Sequence, residues 1–343
     1  MYQGKTHIHI ENSNGSPPVF NATEQQVQAL LDKNPDLAGE LHITIGCSDR
    51  DEAENWSAIN LEEYYAQMKT TDIFVGYMFP LENIRGYAPD LKVIHFISSG
   101  VDHVAPFTWV PEGVQLVNNR GVHLPKSGES FGMFLAMLNA GIPRLVTSQH
   151  NKKWDRHFTS ISQGKTLVVI GVGNQGGEMA RRAKGLGMYV IGISPFDENP
   201  EFFDEVLPNS RMKEAFGRAD MVALTAPLTD DTRNMMNRET MDWLPKHAGI
   251  INVSRGALID EKALHDKLVA GELSGAILDV FSKEPLPQDH FLWETPNLIM
   301  TPHVSSDDLV NYIPRTLDLM IQNLRNEREG KPLINLLDLS RQF

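Results

Sequence analysis

Along the first third of the chain, short runs rich in β-branched and apolar residues alternate with longer stretches whose apolar positions recur at helical spacing. The runs THIHIE (6–11), HITIGCS (42–48), DIFVGYM (72–78), LKVIHFIS (91–98) and VQLVNN (114–119) predict five strands. Between them, NATEQQVQALL and NLEEYYAQMK predict amphipathic helices. This alternation reads as an α/β architecture built on a parallel sheet. A second series starts at Lys165, where KTLVVIG, MYVIGIS, DEVL, MVALTA, GIINVS, GAILDV and LIMTPH predict further strands.

Two helical stretches stand apart. PKSGESFGMFLAMLNAGIPRL (125–145) is apolar over most of its surface, so it is expected as one helix from about Ser127 to Leu145, buried between domains or against another subunit. DDLVNYIPRTLDLMIQNLRNEREG (307–330) places Val310, Ile313, Leu317, Met320, Ile321 and Leu324 at helical spacing, with Pro314 as an expected kink. That tail is too short for a domain and must dock onto one.

At 343 residues the chain suits two domains, each with its own core. Its 31 basic and 44 acidic residues give a net charge of −13, which repels nucleic-acid backbones and anionic lipid surfaces alike. Neither is expected as a partner. No run approaches the roughly 20 apolar residues of a membrane span, and the N-terminus lacks the apolar core of a signal peptide. A cytoplasmic protein is the expectation. The single Cys47 has no intrachain disulfide partner and is read as a buried strand residue. His7 and His9 share one face of a strand; with no third ligand in view they are read as packing residues, and no metal is expected.

Gly171, Gly173 and Gly176 follow an apolar strand and open a helix, the setting that makes G-x-G-x-x-G informative. One glycine permits the turn, one admits a pyrophosphate, and one allows close helix-to-strand packing, while free N–H groups at the helix start receive the phosphates. A dinucleotide is therefore expected. The next strand ends in Ser194 instead of the carboxylate that binds both ribose hydroxyls in an NAD site, and this removes the main barrier to a 2′-phosphate. Pro195 and Phe196 follow, then Asp197 and Glu198, acids able to replace the missing carboxylate; Arg211 is a distant candidate for a phosphate. Both NAD(H) and NADP(H) are expected, with a slight lean to NADP(H).

Three stretches place polar residues directly after apolar strands, where open α/β sheets present their ligands. NVSRGALID, LDVFSKEPLP and TPHVSS supply Arg255, Glu284 and His303. With GVGNQG, and in this order, they resemble the D-isomer-specific 2-hydroxyacid dehydrogenase family, with the glyoxylate/hydroxypyruvate reductase branch as nearest neighbour. The 29-residue separation of Arg255 and Glu284 is also that family's.

The resemblance implies a two-domain α/β fold. A flavodoxin-like substrate domain would comprise residues 1–120 plus 305–343, including a C-terminal helix that returns to it, and a Rossmann domain residues 121–304. It implies that Arg255 anchors the substrate carboxylate and polarises the keto group, that His303 is the acid and base, and that Glu284 orients His303 and favours its charged form. It places Asn174, Gln175, Thr225, Pro227, Val253 and Asp279 beside the cofactor, Asp279 near the nicotinamide carboxamide. In SSGVDH, Ser99, Gly100 and Val101 would offer backbone N–H groups to a small 2-oxo or 2-hydroxy acid. Asp102 and Asp260 are read as caps. A homodimer is implied, with Trp154 in the region from which such enzymes send an aromatic residue into the partner's site.

Rival readings remain within and outside the enzymes. Formate dehydrogenases carry glutamine where Glu284 stands. Many phosphoglycerate dehydrogenases have an additional C-terminal domain. The C-terminal-binding corepressors share the fold and triad while acting mainly as dinucleotide-sensing interaction proteins.

Overall fold

The computed structural model describes residues 4–50, 56–58, 61–196 and 200–339. The chain divides into two compact units, Met1–His123 with Asp307–Phe343, and Leu124–Ser306.

The first unit is a six-stranded sheet of β1 (Thr6–Ser13), β2 (Leu41–Arg50), β3 (Trp56–Ala58), β4 (Ile73–Gly76), β5 (Val93–Phe96) and β6 (Gln115–Val117). Its order is β3-β2-β1-β4-β5-β6, parallel throughout except that β3 runs antiparallel to β2 at the edge. The five expected strands are present; β3, three residues long, carries no readable period and was not expected. Thr23 and Gln26 form a reciprocal capping box that starts the helix Glu24–Lys33. The helix Tyr312–Arg328 lays Ile313, Leu317, Met320, Ile321 and Leu324 into the core beside Ile8, Ile10, Val75 and Val93. Pro314 falls in its first turn, where no intrahelical hydrogen bond is lost, so the proline begins the helix instead of kinking it. Val310 precedes the helix and is exposed.

His7 and His9 are fully buried. Thr44 Oγ1 bridges His7 Nε2 (2.9 Å) and His9 Nδ1 (2.8 Å), and His9 Nε2 meets Glu11 at 2.9 Å. Burial, helped by the neighbouring His42 and His9, pulls the His7 pKa down to about 4. Cys47 lies in β2 but is exposed, contrary to expectation: strand residues alternate faces, and its neighbour Ser48 is the one turned inward.

The second unit carries β7 (Thr166–Ile170), β8 (Tyr189–Ile193), β9 (Glu205–Leu207), β10 (Met221–Leu224), β11 (Gly249–Asn252), β12 (Gly275–Leu278) and β13 (Leu298–Met300), each where the sequence placed a strand. All are parallel, in the order β13-β12-β11-β10-β7-β8-β9. This doubly wound order reverses between β7 and β10, the crevice where such sheets bind dinucleotides. The apolar stretch after Gly121 forms two helices, Leu124–Asn139 and Ile142–His150, because Gly141 adopts φ 68° between them. Phe131, Phe134, Leu135 and Leu138 pack against Leu167, Val169 and Met179 of their own unit. Much of the apolar face is thus covered by the sheet of its own unit. No described helix is long and apolar enough to cross a membrane.

Candidate active site

Parallel strands bring their carboxyl ends to one edge, and the second unit's edge collects the candidate residues. After β7, Gly171 takes φ +93°, and a Cβ there would sit 2.7 Å from Ala226. A Cβ on Gly176 would sit 1.9 Å from the Gly171 carbonyl oxygen, so helix and turn touch backbone to backbone. Gly173 faces open space, caps the helix Asn174–Gly185 and leaves the N–H groups of Asn174 and Gln175 at its start. Gln175 Oε1 is buried without a hydrogen-bond partner among the described residues. Thr225 Oγ1 donates to the carbonyls of Ile170 (3.0 Å) and Gly171 (2.8 Å), fixing the turn. A crowded turn below an open, amide-lined surface fits a pyrophosphate. Pro227 and Val253 lie at the ends of β10 and β11 on the same edge.

Ser194 directly follows β8 and is 3% exposed. Its Oγ accepts the Phe196 N–H at 3.2 Å, which leaves the hydroxyl proton to donate. Arg211 is held by Glu214 in a two-pronged pair at 2.6 and 2.8 Å. Asp197 and Glu198 lie outside the described residues.

Arg255 follows β11 in extended backbone and opens the 3₁₀ turn Gly256–Leu258. A Cβ on Gly256 would lie 1.8 Å from the Phe281 carbonyl carbon. Only glycine lets the Arg255 turn press against the loop that carries Glu284. That loop is itself fixed: Glu284 Oε1 accepts the Phe281 N–H at 2.9 Å, and its other oxygen meets His303 Nδ1 at 2.8 Å. Arg255 Nη1 donates to the Ser254 carbonyl at 2.9 Å.

His303 adopts φ 53°, a left-handed conformation uncommon for a residue with a side chain. Asp279 supports it: the His303 N–H donates to the Asp279 carbonyl at 2.8 Å, and the Asp279 carboxylate accepts from Thr301 Oγ1 (2.5 Å), the Val304 N–H (3.1 Å) and Ser305 Oγ (2.6 Å). Asp279, 2% exposed, therefore builds the turn under His303.

The electrostatics favour a charged imidazole. The Glu284 hydrogen bond raises the His303 pKa above 6.5 against the opposing effect of burial; the Glu284 and Asp279 charges add to it and Arg255 subtracts. Burial pushes Glu284 upward, yet the hydrogen bond and charge of His303, the Phe281 N–H and Arg255 together bring it below 4.5.

The family model for the D-isomer specific 2-hydroxyacid dehydrogenase NAD binding domain matches residues 131–305. The chain belongs to this family. A D-3-phosphoglycerate dehydrogenase of Methanocaldococcus jannaschii is 36% identical over 260 residues, 74% of this chain and 49% of that protein. The chain thus spans about half the length of that relative. A hydroxypyruvate reductase of Thermotoga maritima is 32% identical over 63% of this chain and 71% of its own. Among solved structures, a D-isomer specific 2-hydroxyacid dehydrogenase from Xanthobacter autotrophicus in complex with NADPH and MES superposes with a TM-score of 0.80 at 22% identity, covering 98% of this chain and all of that one.

In the first unit, Ser99, Gly100 and Val101 follow β5, and a polar network the sequence did not disclose holds them. Asn119, fully buried, donates to the Ile97 carbonyl and to Thr316 Oγ1, both at 2.7 Å, and faces His95 Nε2 through Oδ1 at 2.9 Å. Its N–H donates to the Ser98 carbonyl, and Asn118 Nδ2 donates to the Ser99 carbonyl at 2.7 Å. The Tyr312 hydroxyl donates to the Ile97 carbonyl at 2.6 Å. Burial draws the His95 pKa down to about 4, so the network is neutral there at physiological pH. Asp260 caps the helix Glu261–Val269 by accepting the Ala263 N–H at 3.0 Å; Asp102 instead lies inside a 3₁₀ turn whose N-cap is Val101. Trp154 is 91% exposed.

Proposed function

We propose that this chain is an NAD(P)-dependent D-2-hydroxyacid dehydrogenase that reduces small 2-oxo acids of the glyoxylate and hydroxypyruvate kind to D-2-hydroxy acids. The observation that carries the reading is the His303–Glu284 pair at 2.8 Å, in which each partner shifts the other toward its charged form and Arg255 is close enough to act on both. Arg255 anchors the substrate carboxylate with its planar fork and polarises the keto oxygen. His303 gives its proton to that oxygen, and Glu284 keeps the imidazole oriented and protonated until it does. The nicotinamide, when bound, supplies the hydride. In oxidation the neutral imidazole takes the proton back. The second unit is the dinucleotide-binding domain, its phosphates on the Gly171–Gly176 turn. The first is the substrate domain, where Ser99, Gly100 and Val101 present backbone N–H groups to the carboxylate.

Among the described residues, Ser194 in place of an acid, and Arg211 already held by Glu214, leave neither a repeller nor a free clamp for a 2′-phosphate. Both cofactors should serve, with a slight lean to NADPH and a preference below about 3 kcal/mol. Steady-state kinetics with glyoxylate, hydroxypyruvate, pyruvate and phenylpyruvate and both reduced cofactors test the proposal. No turnover in the whole panel overturns the reductase assignment. A kcat/KM ratio above roughly 200 in favour of NADH, corresponding to more than about 3 kcal/mol, overturns the cofactor assignment. The likeness to phosphoglycerate dehydrogenase supports a second reading, in which the substrate tail is phosphorylated.

A further inference from the structure

The sheet of the first unit also reverses direction. From β1 the chain passes to β2 on one side and later to β4 on the other, so a crevice opens outside the carboxyl ends of β1 and β4. A cavity of about 20 Å³ occupies that place, lined by Glu11 and Ser13 of β1, Ser48 and Asp49 of β2, Tyr77 after β4 and Ile97 after β5. It adjoins the Ser98–Val101 loop, because Ile97 immediately precedes that loop. Tyr77 stacks on His103, just beyond it, with ring centroids 4.1 Å apart, and accepts from His103 Nε2 at 3.0 Å through its carbonyl.

The lining has a definite chemistry. Among the described residues it contains two carboxylates and no lysine, arginine or histidine. Glu11, 6% exposed, is fixed by His9 at 2.9 Å and by the Ser48 hydroxyl. Asp49 is exposed and accepts from Asn14 Nδ2 at 3.0 Å. Ser13 binds Asn21 through its own N–H and carbonyl, both at 3.0 Å, while its buried hydroxyl has no partner among the described residues. A buried hydroxyl without a partner is the exception in folded proteins and calls for one.

We propose that this cavity is the subsite for the substrate tail, and that it selects a small neutral hydroxyl-bearing tail and rejects an anionic one. The inference rests on the reductase reading and deepens it: the preferred acid is hydroxypyruvate-like, with its hydroxyl on Ser13 Oγ. The space suits one or two water-sized groups. A phosphate or second carboxylate would meet Glu11 and Asp49 with no cation among the described lining residues to neutralise it. Ser13 and Asp49 are thus specificity-determining residues that take no part in hydride or proton transfer.

The test compares kcat/KM of the full chain, with one cofactor, for glyoxylate, hydroxypyruvate, phosphohydroxypyruvate and oxaloacetate. Hydroxypyruvate should exceed both dianionic acids by at least about 100-fold, since a site built against a charge discriminates more strongly than an apolar pocket. Ser13→Ala should lower the hydroxypyruvate-to-glyoxylate ratio about fivefold, the worth of one hydrogen bond. Asp49→Lys should raise the phosphohydroxypyruvate-to-hydroxypyruvate ratio at least about tenfold. Phosphohydroxypyruvate as the equal or better substrate, or both ratios unmoved by both substitutions, overturns the inference while leaving the reductase reading intact. Absence of turnover with every acid overturns the reductase reading and this one with it.

Discussion

At His303 a left-handed backbone and a half-exposed contact with Glu284 meet in one residue. The conformation costs of order 1 kcal/mol or more and persists because the Asp279 carbonyl and carboxylate over-determine the turn. What it secures is an imidazole whose Nδ1 faces Glu284, and the proposed reaction uses the opposite nitrogen. The pH behaviour follows with a definite sign. Glu284 raises the His303 pKa above 6.5, and reduction needs the imidazolium, so activity falls as pH rises through that raised value. In Glu284→Gln the pKa drops, and the alkaline limb of reduction should move to lower pH while the acidic limb of hydroxy-acid oxidation moves the same way. The pH profiles of kcat/KM in both directions check this, and profiles that coincide with wild type would show the pair misassigned. His303→Ala should cost about 10² to 10⁴ in rate, the usual share of a general acid. The same pair contributes to stability chiefly between the two ordinary values. Its His303 part is present below pH 6.5 and fades as pH rises through the raised pKa. Its Glu284 part is present above pH 4.5 and fades as pH falls through the lowered one.

Among the elements, the glycine turn after β7 combines a helix start with a close backbone approach. Its three glycines do different work: Gly173 meets open space, whereas Gly171 and Gly176 are forced by contacts with Ala226 and with each other. Gly176→Ala places a Cβ against a carbonyl that Thr225 also holds, so neither side gives way easily. The variant should lose roughly 1–3 kcal/mol of stability from overpacking and bind NADPH at least about tenfold more weakly. Gly173→Ala, with no steric conflict, should keep wild-type stability and lose affinity only by crowding the cofactor. Thermal melts paired with NADPH fluorescence titrations separate the two cases. Equal stability in both variants would contradict the assigned contacts. The Asn119 network plays the corresponding part in the first unit. It ties the strand ends of β5 and β6 to Tyr312 and Thr316 of the returning helix, and so fixes the Ser99–Val101 backbone.

For the whole molecule, the surface left after each unit folds is informative. The helices Leu124–Asn139 and Ile142–His150 bury most of their apolar side chains, yet Met133 and Val146 stay about half exposed. Trp154, Phe158 and Ile161 in the following segment are 91, 77 and 71% exposed. So many large apolar groups along one stretch exceed what an isolated chain leaves to water. We propose a two-fold homodimer through this stretch, the commonest closed arrangement. Light scattering at micromolar concentration should give twice the mass of one chain, and Trp154→Glu with Phe158→Glu should shift it toward the monomer. A monomeric wild type refutes the assembly. Retention of turnover by that double variant would limit Trp154 to packing, while its loss with cofactor affinity intact would place the side chain at the partner's site.

Much of this was present in local sequence. Hydrophobic runs set all thirteen strands but β3, because strand and helix periods are local quantities, and the glycine spacing together with Arg255, Glu284 and His303 marked the candidate site, because loops after strands carry few other reasons for such residues. Tertiary structure decided the rest through contacts between positions far apart in the chain. Gly256 is demanded by Phe281, the His303 turn by Asp279, and the Ser99–Val101 loop by Asn119 and Thr316, nearly 200 residues from each other. The apolar helix is a further case: its own unit offers Leu167, Val169 and Met179, a surface that periodicity within the helix does not identify. Periodicity fixes which face of an element is apolar. Which surface covers that face depends on the packing of the whole unit.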